Sequence, residues 1–240
     1  MASSRASAFV GRVFYAGKGE SGFGAEWEAE PGIGEVWPLL GLTRGKVPVT
    51  LHLGSEVYGR FSLGDQASAL ISTDWHVNLM LTADFPKLRL ALEAYHESSH
   101  LGDEYEDRFP RNRINWSREI VGAWAQYRTG SLTLAGNLSY AAIDAAKLGR
   151  GAVALAVDYE GKPTQSLGGR AHPVVALHVD MQEYTDWKAT FSGRAGARFV
   201  DGQGRRGFGL FLTWYDGMSS QRQFFFAKSR YVGVEVRFDL

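Results

Sequence analysis

From about residue 48 to the end of the chain, apolar and polar side chains alternate with period two. This spacing places successive side chains on opposite faces of a β-strand. In WHVNLMLTADF, Trp75, Val77, Leu79 and Leu81 oppose His76, Asn78 and Thr82. In HPVVALHVDMQ, Val175, Leu177, Val179 and Met181 oppose His178, Asp180 and Gln182, and RYVGVEVRFDL sets Val232, Val234, Val236 and Phe238 against Tyr231, Glu235 and Arg237. No α-helical pattern of useful length competes with this one. The pattern predicts strands near residues 75–85, 87–99, 115–128, 131–144, 150–160, 173–185, 187–200, 207–216 and 223–240. One or two more are expected in VPVTLHLGSEVYGRFSL and one or two across AFVGRVFYAG and GFGAEWEAE.

Alternation alone fits two architectures that place the apolar face oppositely. A soluble sandwich buries that face; an outer-membrane barrel turns it to lipid and lines its lumen with the polar one. Strand length favours the barrel, since many strands match a tilted membrane span. So do Trp75, Trp116, Tyr127, Tyr140, Trp187, Trp214 and Tyr215, which recur near strand ends as interfacial girdles require. A terminal strand ending in Phe238 and Leu240 points the same way. The reading is an all-β chain, residues 1–240 forming a single antiparallel transmembrane β-barrel with a polar lumen. Even-numbered closure gives twelve strands, with ten as the alternative. Gly17 to Lys46, rich in glycine, stays undecided.

Composition narrows the function. Lys+Arg and Asp+Glu balance at 26 each, so charge gives no case for a nucleic-acid partner. Cysteine is absent, which removes thiolate metal sites and Cys nucleophiles. With 29 glycines and 13% aromatics the chain suits twisted sheets and tight turns. The opening MASSRASAF lacks the apolar core of a secretory signal. It leaves a cytosolic protein, or an outer-membrane protein in mature form with its signal peptide removed; the strand pattern favours the second.

One stretch stands apart. In EAYHESSHLGDEYEDRF, two histidines and two serines lie within five residues, and a run of carboxylates follows. YHESSHLGDEY resembles the signature of the DUF1207 family, Gram-negative proteins of unknown function. RINWSREIVGAWAQYR, ALISTDWHVNL and FFFAKSRYVGVEVRF resemble the segments around that signature and at the family's close. The resemblance implies an outer-membrane-associated β-barrel and no assigned activity.

If the terminal strand runs into the periplasm, strand 87–99 runs outward, and residues 100–114 form an extracellular loop. The short links DFPK and RTGS then fall on the periplasmic side, as does the anomalously long GKPTQSLGGRA. Within the strand, Leu88, Leu90, Leu92 and Ala94 share the lipid face with His96 and Ser98, while Arg89, Glu93, Tyr95 and Glu97 line the lumen. A His-x-Ser pair on that face could work as base and nucleophile, with Glu104, Glu106 or Glu119 orienting the imidazole. Glu104 is taken as the third member. The arrangement resembles that of lipid A deacylase barrels.

The competing reading is architectural: a strand leaving the bilayer turns polar on both faces, and Gly102 permits a positive φ. Ser99, His100, Gly102, Asp103 and Glu106 would then bind outer-membrane lipid, lipopolysaccharide, or another envelope or surface protein. Asp103, Glu104 and Asp107 supply hard oxygens for Ca²⁺, without the spacing of an EF-hand; otherwise no cofactor is expected. Of the remaining features, GQGRRGFG reads as a turn. Arg194, Arg198, Glu235, Arg237 and Asp239 read as an ion-paired interior ladder, and His52, His76 and His178 as interior histidines. The expectation is a structural or interaction barrel presenting its His/Ser/acidic loop, with a lipid acyl hydrolase built on His96 and Ser98 as the alternative.

Overall fold

The computed structural model describes residues 9–17, 27–45, 47–64, 68–109, 113–166, 169–201 and 207–239. In chain order its strands are β1 (Phe9–Ala16), β2 (Trp27–Arg44), β3 (Val47–Ser62), β4 (Leu70–Asp84), β5 (Leu88–Leu101), β6 (Trp116–Thr129) and β7 (Leu132–Asp144). They continue with β8 (Gly151–Glu160), the short β9 (Thr164–Ser166), β10 (Gly169–Gln182), β11 (Thr190–Val200), β12 (Gly207–Met218) and β13 (Lys228–Asp239). Helix α1 (Asp103–Arg108) lies between β5 and β6.

Each long strand pairs antiparallel with its sequence neighbour, β8 pairs with β10, and β13 returns to β1. Twelve of the described strands thus close into one barrel, so the sheet leaves no strand open along its whole length. Among the described residues no helix is long and apolar enough to cross a membrane, which says nothing of strands.

Outside, the barrel carries Leu79, Leu92, Val121, Leu138, Leu155, Leu177, Leu212 and Val232, all exposed. Aromatics ring this band near both ends. Trp27, Trp75, Tyr140 and Trp187 lie toward the end that carries α1; Phe85, Tyr127, Tyr159 and Phe208 lie toward the other. Inside, on the β1–β3 side, charges pack against one another. Arg12 donates to Glu30 at 2.7 Å and to Glu235 at 2.6 Å, and Arg60 donates to Glu28 at 2.5 Å, all five residues being at most 2% exposed. The other side of the lumen is a cavity of about 690 Å³.

Several boundaries differ from the sequence reading. The undecided segment is mostly β2, eighteen residues long; it hides Glu28 and Glu30 inside, where Arg12 and Arg60 neutralise them, and its alternation is blurred by glycine and a bulge between Pro38 and Leu40. VPVTLHLGSEVYGRFSL forms one strand. The length of the link GKPTQSLGGRA is explained by β9, which folds back on Gly169–Ala171 as a ribbon extending β10. The last strand starts at Lys228 rather than 223, because Arg222–Phe224 form a 3-10 turn that folds over the barrel end. RTGS is a tight hairpin, with Gly130 at a φ of 58° that a side chain would resist. Residues 202–206 of GQGRRGFG, and the N-terminal residues 1–8, lie outside the described residues.

Candidate functional site on the outer wall

Along β5 the side chains of His96, Ser98 and His100 point outward, and those of Glu97, Ser99 and Leu101 point inward. Register then decides which groups meet. On β6, Glu119 lies directly opposite His96, and on β4 Val77 flanks it on the other side. The His96 Nδ1 is 2.7 Å from Glu119 Oε1. With Nδ1–H donating to the carboxylate, Nε2 becomes the basic nitrogen of the ring. Ser98 follows on the same face, about 6.5–7 Å along the strand, between Ser117 on β6 and Trp75 on β4. No hydrogen bond joins Ser98 to His96 among the described residues.

The pair sits in apolar surroundings: Val77 beside His96, Ile143 opposite Glu119, and Val121 and Leu92 further down. Neither is buried within the chain, His96 being 40% and Glu119 48% exposed. An ionisable pair on the apolar wall of a barrel adds little to folding and is costly beside lipid.

The inward half of the same segment is held from within. Glu97 accepts two hydrogen bonds from Arg222, at 3.0 and 2.9 Å, and one from Trp116 Nε1 at 2.8 Å. Ser99 donates to Asp74. Gln223, fully buried, donates from Nε2 to the carbonyls of Ser99 (2.8 Å) and Ile114 (2.9 Å), and its Oε1 accepts from Ile114 N at 3.2 Å. Beneath, Tyr184 packs edge to face with both Trp116 and Phe225, which lie tilted against each other. Burial pushes the Tyr184 phenol up to about 12, and Arg222 donates to its oxygen at 2.9 Å. Burial opposes the charge on Arg222, but Glu97, Tyr184 and Asp74 hold its pKa well above the ordinary arginine value.

Leu101 enters a cluster with Ile71, Tyr105 and Phe224, so α1 lies against the barrel end through Tyr105. This corrects several expectations. Gly102 does not adopt a positive φ: its φ is −72°, and it is needed because a Cβ would strike the Leu70 carbonyl. The carboxylate bonded to His96 is Glu119, not Glu104, which sits exposed on α1. Asp103, Glu104 and Asp107 project from that one-and-a-half-turn helix, and no three His, Asp or Glu among the described residues converge as a metal site. Glu106 lies 4.0 Å from Arg113, whose Nη2 is 3.3 Å from His100 Nδ1.

In the lumen, Arg12, Arg194 and Arg237 surround Glu235, and Arg198 reaches Glu160 at 3.7 Å. The side chain of Asp239 lies outside the described residues. Interior histidines have partners: His52 with Thr82 at 3.1 Å, His76 with Glu56 at 3.8 Å, and His178 with Asp180 at 3.8 Å. Trp116 and Tyr215, expected among the girdle aromatics, turn inward instead and are buried, and the residues that sequence reasoning missed are Arg113, Arg222 and Gln223. The only sequence signal for the last two was QRQ, three polar residues ahead of an apolar run.

Comparison with known proteins agrees with this architecture. The Salmonella typhi outer membrane phospholipase (OMPLA) dimer with bound calcium superposes with a TM-score of 0.69 at 13% identity, covering 97% of this chain and 90% of that one. Escherichia coli outer membrane phospholipase A gives 0.68 at 12% identity with the same coverage. The KdgM porin gives 0.51 at 12% identity, covering 96% of this chain and 98% of that one. At such identities the likeness shows the fold. No curated protein matches the sequence. The family profile described as "Protein of unknown function (DUF1207)" matches residues 28–240, and the chain belongs to that family.

Proposed function

We propose that this barrel resides in the bacterial outer membrane and hydrolyses acyl esters of lipids at its outer wall. Ser98 is the nucleophile, His96 the general base and Glu119 the group that orients the imidazole. The observation that carries this reading is the His96–Glu119 bond of 2.7 Å on the lipid-facing side of the sheet, next to Ser98. A loop displayed to a protein partner needs no such pair on the apolar wall. The apolar band, its aromatic girdles and the fold shared with an outer membrane phospholipase support the membrane setting. With β13 descending to the periplasm, the α1 end faces the exterior, and Ser98 lies level with Trp75 at the interface.

In the reaction, Ser98 Oγ attacks the ester carbonyl while His96 Nε2 takes its proton. The C–O bond to the alcohol breaks, the alkoxide leaves with that proton, and water then releases the fatty acid from Ser98 by the reverse relay. Glu119 stabilises the imidazolium that forms at each step. The calcium of the Salmonella typhi neighbour does not fit the described acidic residues of this chain, which do not converge, and no step is routed through a metal.

The test is fatty-acid release from phosphatidylglycerol in mixed detergent micelles. Ser98→Ala and His96→Ala should each lower turnover by about a thousandfold or more, and Glu119→Gln by about a hundredfold. All three should leave the unfolding midpoint in place. Turnover retained by a folded Ser98→Ala barrel overturns the reading.

A further inference from the structure

We infer that Arg113, together with His100, forms a recognition site for the phosphate headgroup of the acyl lipid, which sets substrate choice toward phospholipids over neutral acylglycerols. The inference rests on the hydrolase reading for where the ester lies, and adds what lies above it. His96, Ser98 and His100 form one outward row on β5. Below the row the wall is apolar, with Val77, Leu79, Leu92 and Val121 exposed. Above it, at the rim, Arg113 Nη2 lies 3.3 Å from His100 Nδ1. Because guanidinium can only donate, His100 Nδ1 is the acceptor and its ring proton sits on Nε2, a second donor at the same place.

Arg113 is half exposed, and Glu106 is 4.0 Å away, too far for a close pair. The wall therefore presents, in order, a cation with an N–H donor, a serine hydroxyl about 6.5–7 Å below, and an apolar stripe. On the other flank of Ser98, Trp75 is fixed by its Nε1 donating to Thr73 Oγ1 at 3.3 Å. A glycerophospholipid has the same order: phosphate, then the glycerol esters, then acyl chains. The span from phosphate to ester across one glycerol unit is of the same order as the step from His100 to Ser98. Guanidinium binds phosphate bidentately, a geometry that glutamine or lysine does not reproduce.

The experiment compares phosphatidylglycerol with diacylglycerol, which has the same esters and no phosphate, in mixed micelles, using wild type, Arg113→Gln and Ser98→Ala. Wild type should show a KM about tenfold lower for phosphatidylglycerol, and Arg113→Gln should erase that difference while Ser98→Ala abolishes turnover of both lipids. A KM ratio retained by Arg113→Gln overturns the headgroup site while leaving the hydrolase standing. Inorganic phosphate added as competitor separates the sources. Inhibition at millimolar phosphate means the pair takes free phosphate and overturns the lipid assignment; inhibition only by phospholipid supports it.

If wild type turns over neither lipid, the hydrolase reading falls. The headgroup site is then decided by binding of a dialkyl ether phosphatidylglycerol. Affinity about tenfold weaker in Arg113→Gln sustains it, and equal affinity overturns it.

Discussion

Replacing Arg222 by methionine isolates the inner support of the outer wall. Arg222 Nη2 lies 2.9 Å from Glu97 Oε2 and Nε 3.0 Å from it. At 2.9 Å and an effective dielectric of about 20, the attraction is about 6 kcal/mol before desolvation. Desolvation of both ions cancels much of that, so the intact pair adds little net stability. Removing one partner is a different matter, since Arg222→Met leaves the Glu97 carboxylate with Trp116 Nε1 as its remaining donor. Losing half of a buried pair costs about 3–5 kcal/mol. Arg222 is 23% exposed, so water relieves part of this, and the expected loss is near the lower end, about 3 kcal/mol.

The double variant Glu97→Gln/Arg222→Met removes both charges and should return to within about 1 kcal/mol of wild type. Reversible guanidinium unfolding in detergent, followed by tryptophan fluorescence, measures all the corners of the cycle. If Arg222→Met costs less than about 1 kcal/mol, or the double variant equals the sum of the singles, then the pair is not a buried latch and the argument fails.

Two further outcomes follow from the rim. Gly102→Ala drives a Cβ into the Leu70 carbonyl and should cost about 1–3 kcal/mol as overpacking, read by the same unfolding assay; a neutral result would mean the α1 junction yields freely. Glu183 accepts backbone N–H bonds from Gly151 at 2.8 Å and Arg150 at 2.7 Å, which together hold its pKa below the ordinary carboxylate value. A depressed folded pKa gives stability that is present above the unfolded value of 4.5 and lost as pH falls through the folded one. The protection factor of the Gly151 amide, its exchange rate relative to the unfolded chain at the same pH, should therefore fall at acid pH in wild type and stay level with pH in Glu183→Gln.

How much of this was legible in the sequence follows from what each feature depends on. The period of two fixes the face of every strand residue once a strand is recognised, so the outward row of His96 and Ser98 and the inward Glu97 could be read directly. The partner of His96 could only be narrowed to Glu104, Glu106 or Glu119, and Glu104 was the one chosen. Glu119 lies 23 residues on, across a loop and a helix whose length sets the register of β6 against β5, and a shift of one residue would have turned Glu119 inward. The same limit hid Arg222, 125 residues from Glu97, since contacts across a lumen leave no local pattern. β2 was obscured for another reason: its inward carboxylates and glycines are stable only because Arg12 and Arg60 come from neighbouring strands to meet them.

The loop that carries Arg222 and Gln223 joins β12 to β13, on the opposite side of the ring from β5. Its contacts with Glu97, Ser99 and Ile114 therefore cross the full width of the lumen. In chain order this loop belongs to the last hairpin, which also carries the strand that seals against β1. The rim around His96 and Ser98 thus receives from the last hairpin of the chain the part of its backing that Arg222 and Gln223 supply. A chain caught midway through insertion, with β13 still unpaired, would expose the serine on a wall without that part of its support. Maturation of the outer site is in this way tied to completed assembly.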